Sequence, residues 1–272
     1  MNEKQWFAAL LAITLAVAGG VYWFWLRQPE PEAVAVAAPV AAAASTEPAA
    51  PAAPEYPVPA LPAAESEPPL PALADSDGEL LERLRGLLGA PGVEAVLVPE
   101  QLIRRLVVAV DNLPRERVGL RDWPVRRTAG VLTVQEEPVL LPGGYSLRRD
   151  NGARYGLAVA LVKAADAPAL VRLYFRYYPL FNQAYRELGY PQGHFNDRLV
   201  TVIDHLLAAP TPPEPVLLVR PKVMYEFADP ALEALSFGQK LMIRLGTENR
   251  AVVAGKLREI RALVVQGPAS SD

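Results

Sequence analysis

Residues 6–26, WFAALLAITLAVAGGVYWFWL, form an uncharged run between Lys4 and Arg27. At ~1.5 Å of rise per residue a helix of this length is about 30 Å long, the thickness of a bilayer's hydrocarbon core. The run therefore predicts one transmembrane helix. Trp6 and Phe7 stand at one edge, and Tyr22, Trp23, Phe24 and Trp25 at the other, where amphipathic rings favour headgroup depth. After Arg27 no Lys or Arg follows until Arg83. A flank so poor in positive charge is the easier one to translocate, so residues 1–5 are expected in the cytoplasm and the rest outside it. Ala16-Val17-Ala18 also fits a signal-peptide cleavage pattern. The apolar run continues from Gly19 to Leu26, which favours retention of the span.

Residues 27–74 read as a tether. From Gln28 to Leu73 there are 12 of the 28 prolines, much Ala and few large apolar side chains. Proline removes backbone donors and opposes helix and ladder alike, and so little apolar surface cannot offset the entropy of ordering. The expectation is a disordered Pro/Ala-rich linker with polyproline II character. Its extended reach is on the order of 140 Å at ~3.1 Å per residue.

The net charge of -3 averages two unlike regions. Residues 28–74 hold six Glu and no base, whereas residues 75–272 hold 25 Lys and Arg against 23 Asp and Glu, a net of +2. A near-neutral domain carries no nucleic-acid footprint. The chain has no Cys, which excludes a disulfide framework, a thiol nucleophile and a thiolate metal site.

Residues 75–265 read as a helical globular domain and residues 266–272 as a disordered tail. Ser76-x-x-Glu79 has capping-box spacing, and Leu80, Leu81, Leu84, Leu87 and Leu88 follow at helical period before Gly89. A second helix is expected from about Pro99 to before Pro114. Eight arginines crowd residues 115–154 among interleaved acids. They are read as a solvated surface, with an anion-binding patch as the other reading. Val131–Val134 reads as a short strand and Pro142-Gly143-Gly144 as a turn. Leu157–Val162 predicts a helix ending at Ala165. Asp166 then caps a strongly patterned helix with an aromatic stripe, bent near Arg176 by Pro179 and ended by Gly189. The stripe fits core or a ligand groove. Asn196 is expected as N-cap of a helix through Leu207. Val216–Val219 and Val223–Phe227 suit a small strand pair. Asp229-Pro230 opens a helix that Gly238 divides, and Gly246-Thr247-Glu248 starts the last one. The fold class is mainly α, with six or seven helices and at most a minor β hairpin.

Chemistry is sparse. The two histidines, His194 and His205, lie near Asp197, Asp204 and Glu226 in the sequence or the expected fold. Such groups suit a His/carboxylate metal site or an acid/base centre. No HExxH, GxSxG or P-loop pattern occurs. The helical spacing also turns Asp204 away from His205. The catalytic candidates are Asp197, Asp204 and His205, and the binding candidates Asn196, Arg198 and Tyr225. No metal and no cofactor are assigned.

Val110–Arg115 (VDNLPR), Leu173–Tyr190, His194–Leu207 (HFNDRLVTVIDHLL) and Pro221–Gly246 together resemble the family called domain of unknown function 3014. The resemblance spans about Leu80 to Leu263. It rests most visibly on Asp111, Asn112, Pro179, Asn196, Asp197, Arg198, Asp204, His205 and Tyr225–Pro230. It implies a bacterial protein with a membrane helix, a Pro-rich tether and this domain, and it brings no activity. The sequence thus reads as a single-pass protein of the bacterial inner membrane. The bilayer is met through residues 6–26, and the domain lies in the periplasm, facing an envelope protein or cell-wall polymer. The alternative is an envelope enzyme built on His194, Asp197, Asp204 and His205.

Overall fold

The computed structural model of the chain describes residues 53–59, 68–119 and 121–266. The expected span 6–26, most of the tether and the tail from residue 267 lie outside the described residues. Among the described residues no helix is long and apolar enough to cross a membrane.

The described chain holds nine α-helices: α1 (Asp77–Leu88), α2 (Ala90–Val96), α3 (Leu102–Asn112), α4 (Gly156–Ala164), α5 (Ala167–Glu187), α6 (Phe195–Leu207), α7 (Pro230–Glu233), α8 (Phe237–Arg244) and α9 (Thr247–Gln266). Four short strands, β1 (Val134–Glu136), β2 (Tyr145–Leu147), β3 (Leu217–Val219) and β4 (Glu226–Phe227), form one antiparallel sheet in the order β1-β2-β3-β4. The fold is therefore mainly α, but its β part is larger than a hairpin. Two hairpins join where Tyr145 pairs with Leu218 and Ser146 with Leu217. Residues this distant in sequence carry no local signal of their pairing.

Helix α6 sits centrally, packed by α3, α5, α8 and α9. Its neighbours divide the core. On one side α1, α2, α3 and α5 bury Leu80, Leu84, Leu102, Ile103, Tyr177 and Phe181. On another, Val202 and Leu206 of α6 meet Met242 of α8 and Ala254 of α9. A third group joins Val171 and Phe175 of α5, Val200 of α6 and Val264 of α9. The sheet covers its own cluster, with Leu218 and Phe227 against Ile243 of α8. The aromatic stripe of α5 is largely core: Tyr177, Phe181 and Tyr185 are buried, and Phe181 stacks on Phe195 with ring centroids 5.5 Å apart. Helix α5 runs unbroken through Pro179.

Local details differ from expectation for identifiable reasons. Ser76 makes no capping-box bond. Its hydroxyl donates to the Leu73 carbonyl at 2.9 Å. Asp77 instead accepts from the backbone N–H groups of Gln101 (2.6 Å) and Leu102 (2.8 Å), so it caps α3 across a 24-residue gap and starts that helix later than Pro99. The seven residues of α2 are too few to show a period. The break before α8 falls at Ser236, whose Oγ accepts from the Gln239 N–H at 3.1 Å, and not at Gly238. Gly238 lies inside α8, where an added Cβ would stand 2.9 Å from the Leu113 carbonyl oxygen and 2.5 Å from Leu206 Cδ2. It is a close-approach residue there, not a breaker.

Part of the tether belongs to the domain. Leu73 is buried with Leu70 beside it, and the Pro68 carbonyl accepts from Arg176 at 2.9 Å. Residues 53–59 lie against the third core group through Tyr56 and Val58. Low apolar content predicts disorder only when the few apolar groups find no partner, and here Tyr56, Val58, Leu70 and Leu73 each find one.

Candidate functional site

The first turn of α6 gathers three of the five residues that sequence reasoning singled out on this helix. Asn196, Asp197 and Arg198 are consecutive, so at 3.6 residues per turn they face three different directions. Asn196 is not the N-cap. The helix starts at Phe195, whose N–H donates to Asn182 Oδ1 of α5 at 3.0 Å. Capping is supplied from another helix, which leaves the Asn196 amide for other work.

Arg198 faces α3. Its Nε donates to Asp111 Oδ1 at 3.0 Å and its Nη2 to the Asp111 carbonyl at 2.8 Å. Asp111 is 1% exposed. Its Oδ2 accepts from Arg115 at 2.8 Å and from the Tyr190 hydroxyl at 3.2 Å. A buried carboxylate is tolerable only when paired and hydrogen-bonded, and this one has two guanidinium groups and a phenol. The hydrogen bond to Asp111, then its charge, raises the Arg115 pKa further above its ordinary value. The cluster ties α3, α6 and the 188–194 loop into one unit.

Asn196 is fully buried. Its Oδ1 accepts from the Tyr174 hydroxyl of α5 at 3.0 Å, and its Nδ2 donates to the Tyr56 carbonyl at 2.8 Å. Burial, then nearby negative groups, pushes the Tyr174 hydroxyl well above the usual tyrosine range, so it stays a donor. Asp197 points to the same segment: Oδ1 accepts from the Tyr56 N–H at 2.8 Å and Oδ2 from the Glu55 N–H at 3.1 Å. A carboxylate in the first turn is also favoured by the positive end of the helix. Together the two side chains grip an extended polypeptide by its main chain.

The other end of α6 does different work. Asp204 turns to α9 and pairs with Arg261, with Oδ2 2.9 Å from Nη2. His205 turns to α8, its Nε2 2.8 Å from Ser236 Oγ, while its carbonyl accepts from Gln239 Nε2 at 3.2 Å. Burial, then the charge of Arg198, lowers the His205 pKa, which favours the neutral ring near pH 7. Tyr225 precedes β4 and packs on the sheet's cluster, edge-on to Tyr145 at 5.2 Å with Arg220 over its ring at 5.3 Å. The structure thus joins Asn196 and Asp197 on the Glu55–Tyr56 segment, turns Arg198 to Asp111, and sends Asp204, His205 and Tyr225 elsewhere. Among the described residues no group of three or more His, Asp or Glu side chains is gathered as metal ligands would be.

An open concavity of about 1130 Å³ lies between the 149–155 turn, the 211–216 loop and the α8–α9 junction. None of the catalytic or binding candidates lines it, although Arg148 and Arg149 of the arginine-rich stretch do. Two of its arginines have local partners: Arg149 with Glu214 at 2.8 Å, and Arg250 with the Pro210 and Ala209 carbonyls. Size alone therefore does not make it the site.

Over residues 102–261 the sequence matches the family described as Protein of unknown function (DUF3014). The chain belongs to this family. No curated protein and no solved structure matches it. The DUF3014 region contains Asp111, Asn196, Asp197 and Arg198, whereas Glu55 and Tyr56 lie outside it. Sequence reasoning missed Tyr56 as a partner of that region. The available signal was small: Tyr56 is the sole aromatic residue between Gln28 and Ala74.

Proposed function

We propose that this DUF3014 protein is a single-pass, membrane-anchored protein of the bacterial cell envelope whose helical domain works as an interaction module in the periplasm. Residues 6–26 supply the anchor in this reading, and residues 27–52 the free spacer. The partner is another envelope protein or a cell-wall polymer. The reading is supported by the use made of the polar residues at the start of α6: Asn196 and Asp197 hold the backbone of an extended segment at 2.8–3.1 Å. Main-chain hydrogen bonds with flanking apolar contacts are the means by which peptide-recognition modules bind.

The test is crosslinking of the full-length protein in its native envelope, followed by purification and mass spectrometry. The control keeps residues 1–52 and lacks the remainder. A partner recovered with the full chain and lost with the control is the expected result. Identical recoveries from both would remove the interaction reading. A reporter joined after residue 272 that is active only in the cytoplasm would overturn the stated orientation.

A further inference from the structure

Residues 53–59, Ala-Pro-Glu-Tyr-Pro-Val-Pro, are preorganised. Proline holds φ near −65° and presses its predecessor toward extended backbone. With prolines at 54, 57 and 59, the stretch from Pro54 to Pro59 has three backbone donors, on Glu55, Tyr56 and Val58. Two of the three go to the two oxygens of Asp197. The Tyr56 carbonyl goes to Asn196 Nδ2. Tyr56 and Val58, two residues apart, supply the apolar contact against Val171 and Phe175 of α5, Val200 of α6 and Val264 of α9.

The groove is built for a peptide, from the domain's side as well as the segment's. The Asn196 amide is fully buried, and the Tyr56 carbonyl is the acceptor of its Nδ2. A buried donor without an acceptor is costly, and with the segment in place the Tyr56 carbonyl supplies that acceptor. The Asp197 carboxylate next to it accepts two successive N–H groups. None of these three bonds reads a side chain of the occupant. The occupant itself is lightly held, because Tyr56 and Val58 stay half-buried and Glu55 is exposed. Segments with few buried contacts open first.

Resting on the interaction-module reading, we propose that the groove between α5, the first turn of α6 and α9 is a recognition site for extended, proline-punctuated polypeptide. Residues 53–59 fill it in cis as a built-in competitor. A partner protein's segment with the same spacing, an aromatic residue before proline and an aliphatic residue two positions on, displaces them. The short connection from residue 59 to residue 68 gives the cis segment an effective concentration on the order of millimolar. The groove therefore rejects weak ligands, and release of the segment returns residues 53–59 to the free tether.

The test uses the full chain in detergent or nanodiscs and a fluorescent synthetic peptide, Ala-Pro-Glu-Tyr-Pro-Val-Pro, with a scrambled peptide as control. The Tyr56→Ala/Val58→Ala variant, whose own segment loses its apolar contacts and so competes less, should bind the probe at least roughly tenfold tighter than the wild type. Adding Asp197→Ala should abolish that gain, and Asp197→Asn, which keeps one acceptor oxygen, should retain part of it. Far-UV circular dichroism checks that each variant is folded. In the wild type the Glu55 and Tyr56 amides should exchange hydrogen slowly, and saturating probe should speed them. Equal binding of probe and scrambled peptide, no gain in the vacated variant, or fast exchange at both amides would each overturn the proposal. A wild-type dimer that Tyr56→Ala/Val58→Ala dissociates would assign the segment to a second copy and overturn the cis arrangement. These outcomes leave the envelope copurification untouched, so the two readings fail separately.

Discussion

The two ends of α6 carry similar residues and do unlike work. At its start, Arg198 meets a carboxylate that is 1% exposed, and Asn196 is fully buried. At its end, Asp204 meets Arg261 with side chains 47% and 36% exposed, and His205 is half-buried against Ser236. The atom types and distances are alike. What differs is the water around them. A buried polar group must find its partner within the fold, so losing that partner costs the whole desolvation penalty. An exposed pair exchanges its partner for water at little cost. The start of α6 is where sequence changes should be expensive, and the end where they should be cheap.

Arg198→Ala should sharpen this contrast most. It leaves the Asp111 carboxylate buried with only Arg115 and Tyr190, at a cost of roughly 3–5 kcal/mol, read as a lower urea midpoint. Asp111→Ala combined with Arg198→Ala should cost less than the sum of the single changes, since both remove the same contact. Additive losses would mean that the pair is not the unit described. Asn196→Ala should cost about 1–3 kcal/mol, because it strips the Tyr174 hydroxyl and the Tyr56 carbonyl of their partner. It should also speed exchange at the Glu55 and Tyr56 amides, and unchanged exchange would separate Asn196 from the docked segment.

Asp204→Ala should cost under about 1 kcal/mol, as exposed pairs do, and less at high salt. A loss as large as that of Arg198→Ala would erase the distinction between the two ends. The smallest effect should appear only in the pH profile. Burial lowers the His205 pKa below the usual 6.5. On acidification the unfolded chain takes up this proton first. The contribution is therefore present above pH 6.5 and is lost as pH falls through the folded value. His205→Gln should flatten the fall in the urea midpoint on the acid side of pH 6.5. A parallel profile in variant and wild type would remove His205 from the account.

The helices were legible where they are long and one-sided. Apolar residues at three and four announce α1, α3, α5, α6 and α9, because that period is dictated by the helix itself. The Asp166 cap and the turn at Pro142-Gly143-Gly144 were legible for the same reason, being local chemistry. The family resemblance was legible too, since VDNLPR and HFNDRL stand in the chain as read. Asn196, Asp197 and Arg198 were chosen from the sequence, but their roles were not. Asn196 looked like a cap because Asn before an apolar run usually is one, and Asn182 took that place from 13 residues away.

By itself the sequence determined the period of each long helix, the places where proline and glycine stop them, and the charge contrast between tether and domain. These depend on neighbours a few residues apart, where backbone geometry leaves few choices. Tertiary structure alone decided that Asp111 meets Arg198 across 87 residues, that two hairpins share one sheet, and that Tyr56 reaches Asn196 across 140. Those contacts form only after the chain has closed long loops, and what selects them is burial: each polar atom taken out of water must meet the one partner the packed helices bring to it.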